Sequence, residues 1–297
     1  MITKEELKSF AASLGLFATG VCAAACDEEL FAQLKKRRSE ASFSEFEEKD
    51  LALRTQPDRV LAGAKSFFVC LFPYHRSDLP ESNLSDYARI PDYHQVAKAY
   101  LDKIAAFIKE REPEAQIKTL CDNHSLTDRR LAYLAGLGFY GKNNLLIHPE
   151  FGSYFFIGSL LTDILLEPDS PLETSCAGCG ACIAACPGKA LGEDFFYDYT
   201  KCISYITQAK EISEVQKDLL AGQDFVYGCD ICQSVCPHNK DVPDTPIHEF
   251  YEDSLSSLSA QELEALSGRA FKKKYEKFAF AWCKKQSILK NFTEKKR

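Results

Sequence analysis

Four runs of apolar residues in the first half of the chain have the length and composition of β-strands. The run SFFVCLFPY is rich in β-branched and aromatic residues, follows Gly63 and ends near Pro73. Such a pattern predicts a buried strand. The four predicted strands are Gly20–Ala25, Ser66–Tyr74, Ile117–Asp122 and Ser153–Ile164.

Helical periodicity occupies the stretches between these runs. The N-terminal MITKEELKSFAASLGL is amphipathic, Ala25–Glu40 predicts a helix capped near Asp27, and His94–Glu110 repeats apolar residues on one face. A further helix is predicted to start at a capping box of Ser125 and Asp128 and to end at Gly136. Strands and helices mix without regular βαβ units, so we predict an α+β fold with a mixed sheet and flanking helices.

Near the C-terminus, four aromatic residues recur at helical spacing with lysines between them. They are Phe271, Tyr275, Phe278 and Trp282. This pattern predicts one amphipathic helix with a basic face. Because PDSP at Pro168–Pro171 is typical of a linker, we predict three segments: residues 1–167, residues 168–245 with the clustered cysteines, and a helical C-terminal segment, residues 246–297.

The most specific chemical pattern is a set of cysteines in the second half of the chain. A CxxCxxCxxxC run is closed by Pro187, and an incomplete second copy is closed by Pro237. The second copy has Val226 where its first cysteine would stand, and the nearest unassigned cysteine in this half is Cys202. This is the bacterial ferredoxin spacing, in which the last cysteine of each run ligates the other run's 4Fe-4S cluster.

Eight thiolates are thus available for two clusters. The first set is Cys176, Cys179, Cys182 and Cys236, and the second set is Cys186, Cys202, Cys229 and Cys232. A structural zinc site is the alternative, because paired CxxC units also form tetrahedral thiolate sites. Zinc needs only four ligands and does not account for eight, so we predict a ferredoxin-like domain with two clusters.

Composition narrows the remaining choices. The chain has 297 residues, a net charge of -7 and a 45% apolar share, which is ample for a core. No stretch reads as a signal peptide or a membrane span, so we expect a cytoplasmic protein with no membrane association. Five cysteines lie outside the cluster pattern, and we expect them to be small buried side chains: Cys22, Cys26, Cys70, Cys121 and Cys283.

One family matches these motifs together. The chain contains CDNHSLTDRRLAYLAGLGFYGKNNLLIHPEFGSYFFIGSLLTD, then CAGCGACIAACPGKAL, KCISYIT and YGCDICQSVCPHNK, and earlier LRTQPDRVLAGAKS and YARIPDYH. These segments resemble the epoxyqueuosine reductases, cobalamin-dependent iron–sulfur enzymes of tRNA modification. By itself AGLGFYGKNN favours either a helix stop or a loop close to a large ligand, and it is no dinucleotide-binding motif.

The resemblance implies that cobalamin binds between the two domains, with its cobalt near the first cluster, and that Asp122 is the catalytic acid. Read alone, Asp122 also fits a helix cap. The family often has Asp-x-Gly-Pro, whereas this chain has Asn123, His124 and Ser125 after Asp122. His124 is a candidate proton donor or relay. The implied cobalamin contacts are Arg54, Tyr87, Asp92, Tyr93, His94, Lys142, Asn143, Ser204 and Thr207.

The resemblance also implies the partners. The substrate would be tRNA carrying epoxyqueuosine at the wobble position, the electron donor would be a flavodoxin- or ferredoxin-like protein, and we expect a monomer. The basic C-terminal helix would contact tRNA phosphates, unless it is only a solvated lysine face. Two other functions stay open at this point: an electron carrier or activase for a corrinoid partner, and a related cobalamin-dependent reductase of a small molecule.

Overall fold

A computed structural model describes residues 2–40 and 43–294. Its contacts divide the chain into two compact units that alternate along the sequence. The first unit contains the described residues up to Phe72, then His94–Phe139 and Phe155–Ser175, and the second contains Pro73–Tyr93, Tyr140–Tyr154 and the described residues from Cys176 onward. The three consecutive segments drawn from the sequence stay a prediction.

A four-stranded sheet in the order β1-β2-β6-β3 is the main element of the first unit. Its strands are β1 (Thr19–Ala23), β2 (Ser66–Pro73), β3 (Ile117–Leu120) and β6 (Phe155–Thr162). All four predicted strands are present, and the α+β class is confirmed. β1 pairs antiparallel with β2, and β3 antiparallel with β6. Backbone bonds from Lys65 to Thr162 and from Tyr74 to Tyr154 show that β2 and β6 also run in opposite directions. The sheet is therefore a small antiparallel one and not the mixed sheet that we expected.

Several helices accompany this sheet. They are α1 (Lys4–Ser13), α2 (Glu28–Glu40), α3 (Leu51–Thr55), α4 (Tyr93–Arg111) and α5 (Asp128–Leu134). Of these, α1 and α5 contact its strands. Every residue of β2 is buried, and α4 buries the predicted apolar face that includes Leu101 and Ile104. Gly20 of β1 lets α5 approach closely, because a Cβ there would lie 2.2 Å from the carbonyl oxygen of Ala135. This contact fixes α5 on the sheet.

The start of α5 differs from the prediction. The helix begins at Asp128, and its N-cap is Thr127 instead of Ser125, without a side-chain capping hydrogen bond. Residues 121–127 therefore form a loop between β3 and α5. We call these residues the acid loop.

The second unit consists of short helices and two short strands. These are β4 (Phe139–Tyr140), β5 (Leu146–Ile147), α6 (Ala181–Ala185), α7 (Ile203–Gln208), α8 (Glu214–Ala221), α9 (Ile231–Ser234), α10 (Ala260–Ala265), α11 (Gly268–Tyr275) and α12 (Lys285–Glu294). Short 3-10 segments connect several of them, among them Tyr199–Lys201, Pro237–Asn239 and Ala279–Trp282. One of its hydrophobic cores includes Leu84, Tyr227, Phe271, Phe280 and Ile288.

The single amphipathic helix predicted across residues 271–282 is wrong. Helix α11 ends at Tyr275, and Trp282 is 53% exposed. Phe278 instead forms an antiparallel bridge with Pro91, and the backbone N–H of Asp92 donates to the carbonyl of Lys277. Long-range backbone pairing therefore overrides the local helical period after Tyr275.

Candidate functional site

The acid loop follows the last residue of β3, Leu120, and carries Asp122 two positions later. Asp122 has φ 55°, in the left-handed region that residues with a side chain seldom adopt. Its carboxylate is 61% exposed, and one oxygen lies 3.3 Å from Nε2 of His94, on the first turn of α4. The predicted acid is therefore accessible and next to His94, one of the cobalamin contacts that the family resemblance implies.

The acid loop borders a cleft of about 480 Å³ in the first unit. The cleft is lined by apolar residues, by the two histidines His94 and His124, and by three cationic side chains, Arg59, Lys98 and Lys118. Arg54 of α3 also belongs to this neighbourhood, because it lies 3.4 Å from the hydroxyl of Thr127 and forms an ion pair with Glu47. Burial lowers the pKa of Arg54.

In the second unit, the four cysteines predicted for the first cluster line one cavity. The cavity also includes Gly141, Lys142, Asn143 and His238. Gly180 has φ 72° at the N-terminus of α6, which lets the chain turn sharply between Cys179 and Cys182. The structure thus brings together residues from both cysteine runs, as crossed ligation requires.

The second predicted set also lies together. Cys186 and Cys202 are close enough to Cys229 and Cys232 to raise the pKa values of both thiols through charge repulsion. Burial is the larger cause, and it raises the pKa of Cys229 to about 12. Thiols in such surroundings become thiolates only beside a positive centre, which the iron of a cluster provides.

The donor set therefore fits two iron–sulfur clusters. No group of three or more His, Cys, Asp or Glu side chains that could hold a single metal ion occurs in the described part of the chain. Of the five other cysteines, Cys22, Cys70 and Cys283 are buried as expected, whereas Cys26 is exposed and Cys121 half-buried.

Several predicted cobalamin residues lie in the second unit beside the cysteines. Tyr87 is close to Ser204 and Gln208, and burial raises the pKa of its phenol. The hydroxyl of Thr207 is already committed, because it donates to the carbonyl of Ser204 and accepts from the N–H of Gly228. Lys142 forms an ion pair with Glu193.

Asn143 differs from these residues in having an unused donor. Its side chain is buried beside the first set of cysteines, and its Nδ2 makes no hydrogen bond to the described residues. Its Oδ1 accepts from the backbone N–H of Leu145. A buried amide donor of this kind needs an acceptor, so Asn143 fits a contact to one of the polar groups of cobalamin. Asp92 directly precedes α4 and Tyr93 is its first residue, and both are half-buried.

One residue of the site was missed as a functional candidate. The sequence predicts Asp128 only as part of a capping box, yet its carboxylate lies 2.9 Å from Nε2 of His124. The spacing of His124 and Asp128 was visible in the sequence. This spacing alone does not predict the contact, because the contact forms only when α5 begins at Asp128 and His124 lies in the loop before it.

The fold and the donor set define an iron–sulfur oxidoreductase with a double-cluster region. Residues 175–239 match the model of the 4Fe-4S double cluster binding domain, which confirms the prediction of two clusters over the zinc alternative. Residues 54–123 match the model described as epoxyqueuosine reductase QueG, DUF1730. No helix in residues 2–40 and 43–294 is long and apolar enough to cross a lipid bilayer.

Whole-chain comparisons agree with these matches. An epoxyqueuosine reductase of Staphylococcus aureus is 34% identical, over 97% of this chain and 78% of the relative. A crystal structure of epoxyqueuosine reductase with an epoxyqueuosine-modified tRNA stem loop is similar with a TM-score of 0.90 at 32% identity, over 98% of this chain and 80% of that one. The chain belongs to the epoxyqueuosine reductase family.

A third similar structure concerns the catalytic loop. It is the epoxyqueuosine reductase of Bacillus subtilis, 31% identical with a TM-score of 0.89 over 98% of this chain and 80% of that one. In that structure the catalytic loop, which carries an aspartate, is swung out of the active site.

Proposed function

We propose that this protein reduces epoxyqueuosine in the anticodon of tRNA to queuosine, with two 4Fe-4S clusters and cobalamin as cofactors. The observation that carries the proposal is Asp122 itself, accessible on a strained loop and beside His94 in a chain of this family. Backbone strain of this kind is concentrated at functional sites, where the surroundings hold it in place.

The reaction takes up two electrons and two protons and releases water, so the epoxide oxygen must be protonated as its carbon–oxygen bonds break. Cobalamin, when bound, supplies a reduced cobalt centre for this step, and the clusters supply its electrons one at a time. In our proposal Asp122 donates a proton to the departing oxygen. Nε2 of His94 lies 3.3 Å from this carboxylate, within ion-pair distance, and in our proposal His94 returns a proton to it.

We propose the following residues as the ones that would hold the cofactors. The two cysteine sets would ligate the clusters as predicted, and Asn143 would donate to cobalamin with its unused N–H. The other proposed contacts are Arg54, Tyr87, Asp92, Tyr93, His94, Lys142, Ser204 and Thr207. A cytoplasmic location, a monomer and a flavodoxin- or ferredoxin-like electron donor stay predictions.

For tRNA, the basic C-terminal region offers fewer free cations than its composition suggests. Lys277 pairs with Asp253, Lys274 pairs with Glu262, and Lys285 and Lys290 donate to backbone carbonyls. The exposed cations on α11 are therefore the proposed phosphate contacts: Arg269, Lys272 and Lys273. Residues 295–297, which complete the basic segment, lie outside the described residues.

The decisive experiment follows the product directly. The full chain is reconstituted with iron, sulfide and cobalamin under anaerobic conditions and given a chemical reductant and tRNA carrying epoxyqueuosine. Nucleosides are then analysed by mass spectrometry. We expect queuosine to accumulate, and its absence with both clusters and cobalamin bound would favour an electron carrier or a small-molecule reductase.

The matched control is Asp122→Asn. This variant keeps the size of the side chain but has no acidic proton to donate, so we expect turnover to fall by about 10²–10⁴-fold. Iron content and cobalamin binding should stay at the wild-type level. Full activity in this variant would show that Asp122 serves the structure of the loop and not the chemistry.

A further inference from the structure

The acid loop needs support from outside itself. Asp122 holds an unfavourable left-handed backbone conformation, and the loop lacks a side-chain cap at Thr127. On α5, the carboxylate of Asp128 contacts the part of the loop around Asp122. Nε2 of His124 lies 2.9 Å from Oδ1 of Asp128, and the backbone N–H of Asp122 is close enough to lower the pKa of this carboxyl group.

Asp128 is well placed as an anchor. It is the first residue of α5, which packs against β1 and β6 and buries Leu131 and Ala132. The side chains of His124 and Asp128 are only 7% and 18% exposed. Burial raises the pKa of Asp128, whereas the hydrogen bond from His124 lowers it. The histidine therefore stabilises the charged carboxylate that also binds the backbone of Asp122.

We propose that His124 and Asp128 form a latch that holds the acid loop, with His124 as a positioning residue for Asp122. The proposal rests on the proposed function in taking Asp122 as the acid. Nδ1 of His124 is buried and has no hydrogen-bond partner among the described residues. The described contacts of His124 therefore comprise one side-chain bond, which holds the loop, and variants of His124 separate this latch from a proton relay.

Two variants separate a latch from a proton relay. His124→Gln keeps an N–H donor near the position of Nε2 but cannot take up and release a proton, whereas His124→Leu removes the donor. The first readout is hydrogen exchange of the peptide that contains residues 121–126, in the reconstituted full chain without substrate. We expect exchange in the Leu variant to be about tenfold faster and exchange in the Gln variant to be close to wild type.

The second readout is steady-state kinetics. A loop that is misplaced in part of the molecules lowers kcat and leaves KM for tRNA nearly unchanged, so we expect this split in the Leu variant and rescue in the Gln variant. Asp128→Asn, which keeps an acceptor oxygen but loses the charge, should give an intermediate exchange rate. Unchanged cluster absorbance in each variant verifies that the protein is folded.

A matched control is available in the second unit, where Nε2 of His75 lies 3.9 Å from Asp244. His75→Leu should leave exchange in residues 121–126 unchanged. Equal exchange in wild type and His124→Leu would overturn the latch, and so would a Gln variant that is as inactive as Leu but exchanges like wild type. If exchange responds as expected but wild type makes no queuosine, the latch stands and the proposed function fails.

Discussion

The acid loop and the cysteine-rich region, residues 175–239, are organised in opposite ways. The cysteines are placed by short-range spacing, so that each run supplies several ligands within a few residues. Asp122 is placed by side chains from other elements, His94 on α4 and Asp128 on α5. A metal centre can therefore be specified by local sequence, whereas the position of a catalytic acid depends on tertiary contacts.

The two regions also differ in what keeps them in place. Burial raises the pKa values of Cys182, Cys229 and Cys236, so the cysteine-rich region disfavours free thiolates and depends on its clusters for charge balance. The acid loop is held by the buried side chain of Leu126 and by polar contacts of His124 and Asp122, and Asp122 itself is mostly exposed. We infer that the cysteine-rich region depends on its clusters, whereas the position of Asp122 depends on a few protein contacts.

Cys202→Ser has the largest expected effect, and it tests the proposed ligands of the second cluster. Cys202 is the one proposed ligand that belongs to neither run, so its removal should deplete the second cluster and leave about half the iron. Iron and sulfide analysis of the reconstituted protein measures the loss. Turnover should fall with it, because the electron route would be interrupted.

The control for Cys202→Ser is Cys26→Ser. Cys26 is exposed and lies outside the cluster pattern, so this variant should keep all its iron. Wild-type iron in the Cys202 variant would mean that local spacing alone supplies the ligands and that our second set is incorrect.

The contrast explains what the sequence could predict. The strands and the two-cluster region were predicted because runs of apolar residues and the spacing of cysteines are local properties of the sequence. The cap at Thr127 and the contact between His94 and Asp122 depend on how α4 and α5 meet the sheet. The helical period from Phe271 to Trp282 misled for the same reason, since Pro91 pairs with Phe278 and ends the helix early.

Asn143→Asp tests whether cobalamin binding beside the first set of cysteines depends on a contact that cysteine spacing does not predict. Aspartate can still accept from the N–H of Leu145 and so keep the turn, but it has no amide donor. We expect cobalamin affinity to fall by about tenfold, the effect of one lost hydrogen bond together with an unfavourable charge. Titration of cobalamin-free protein followed by its visible spectrum measures the dissociation constant.

The matched comparison is Asn143→Ala, which loses both the donor and the turn. If Asp binds cobalamin as wild type does while Ala does not, then the turn matters and the donor does not. That result would remove Asn143 from the cobalamin contacts and leave it a purely structural role beside the first cluster.

The smallest expected effect concerns His148, whose ring accepts hydrogen bonds, whereas the ring of His124 donates one. Nδ1 of His148 accepts from the backbone N–H groups of Glu150 and Phe151, so this ring must be neutral. Burial lowers its pKa from 6.5 to about 4. The unfolded chain then binds a proton at higher pH than the folded chain does. The stability contributed by neutral His148 is complete above about pH 6.5 and is lost as the pH falls towards 4.

His148→Asn isolates this contribution, because asparagine offers an acceptor oxygen near the position of Nδ1 and does not titrate. Between pH 7.5 and pH 5.5 we expect wild type to lose about 1 kcal/mol more folding stability than the variant, allowing for the solvent that reaches the ring. Thermal unfolding of the reconstituted proteins at the two pH values measures the difference. Since acid lability of the clusters affects both proteins alike, parallel losses would show that cluster chemistry, and not His148, sets the acid limit of this region.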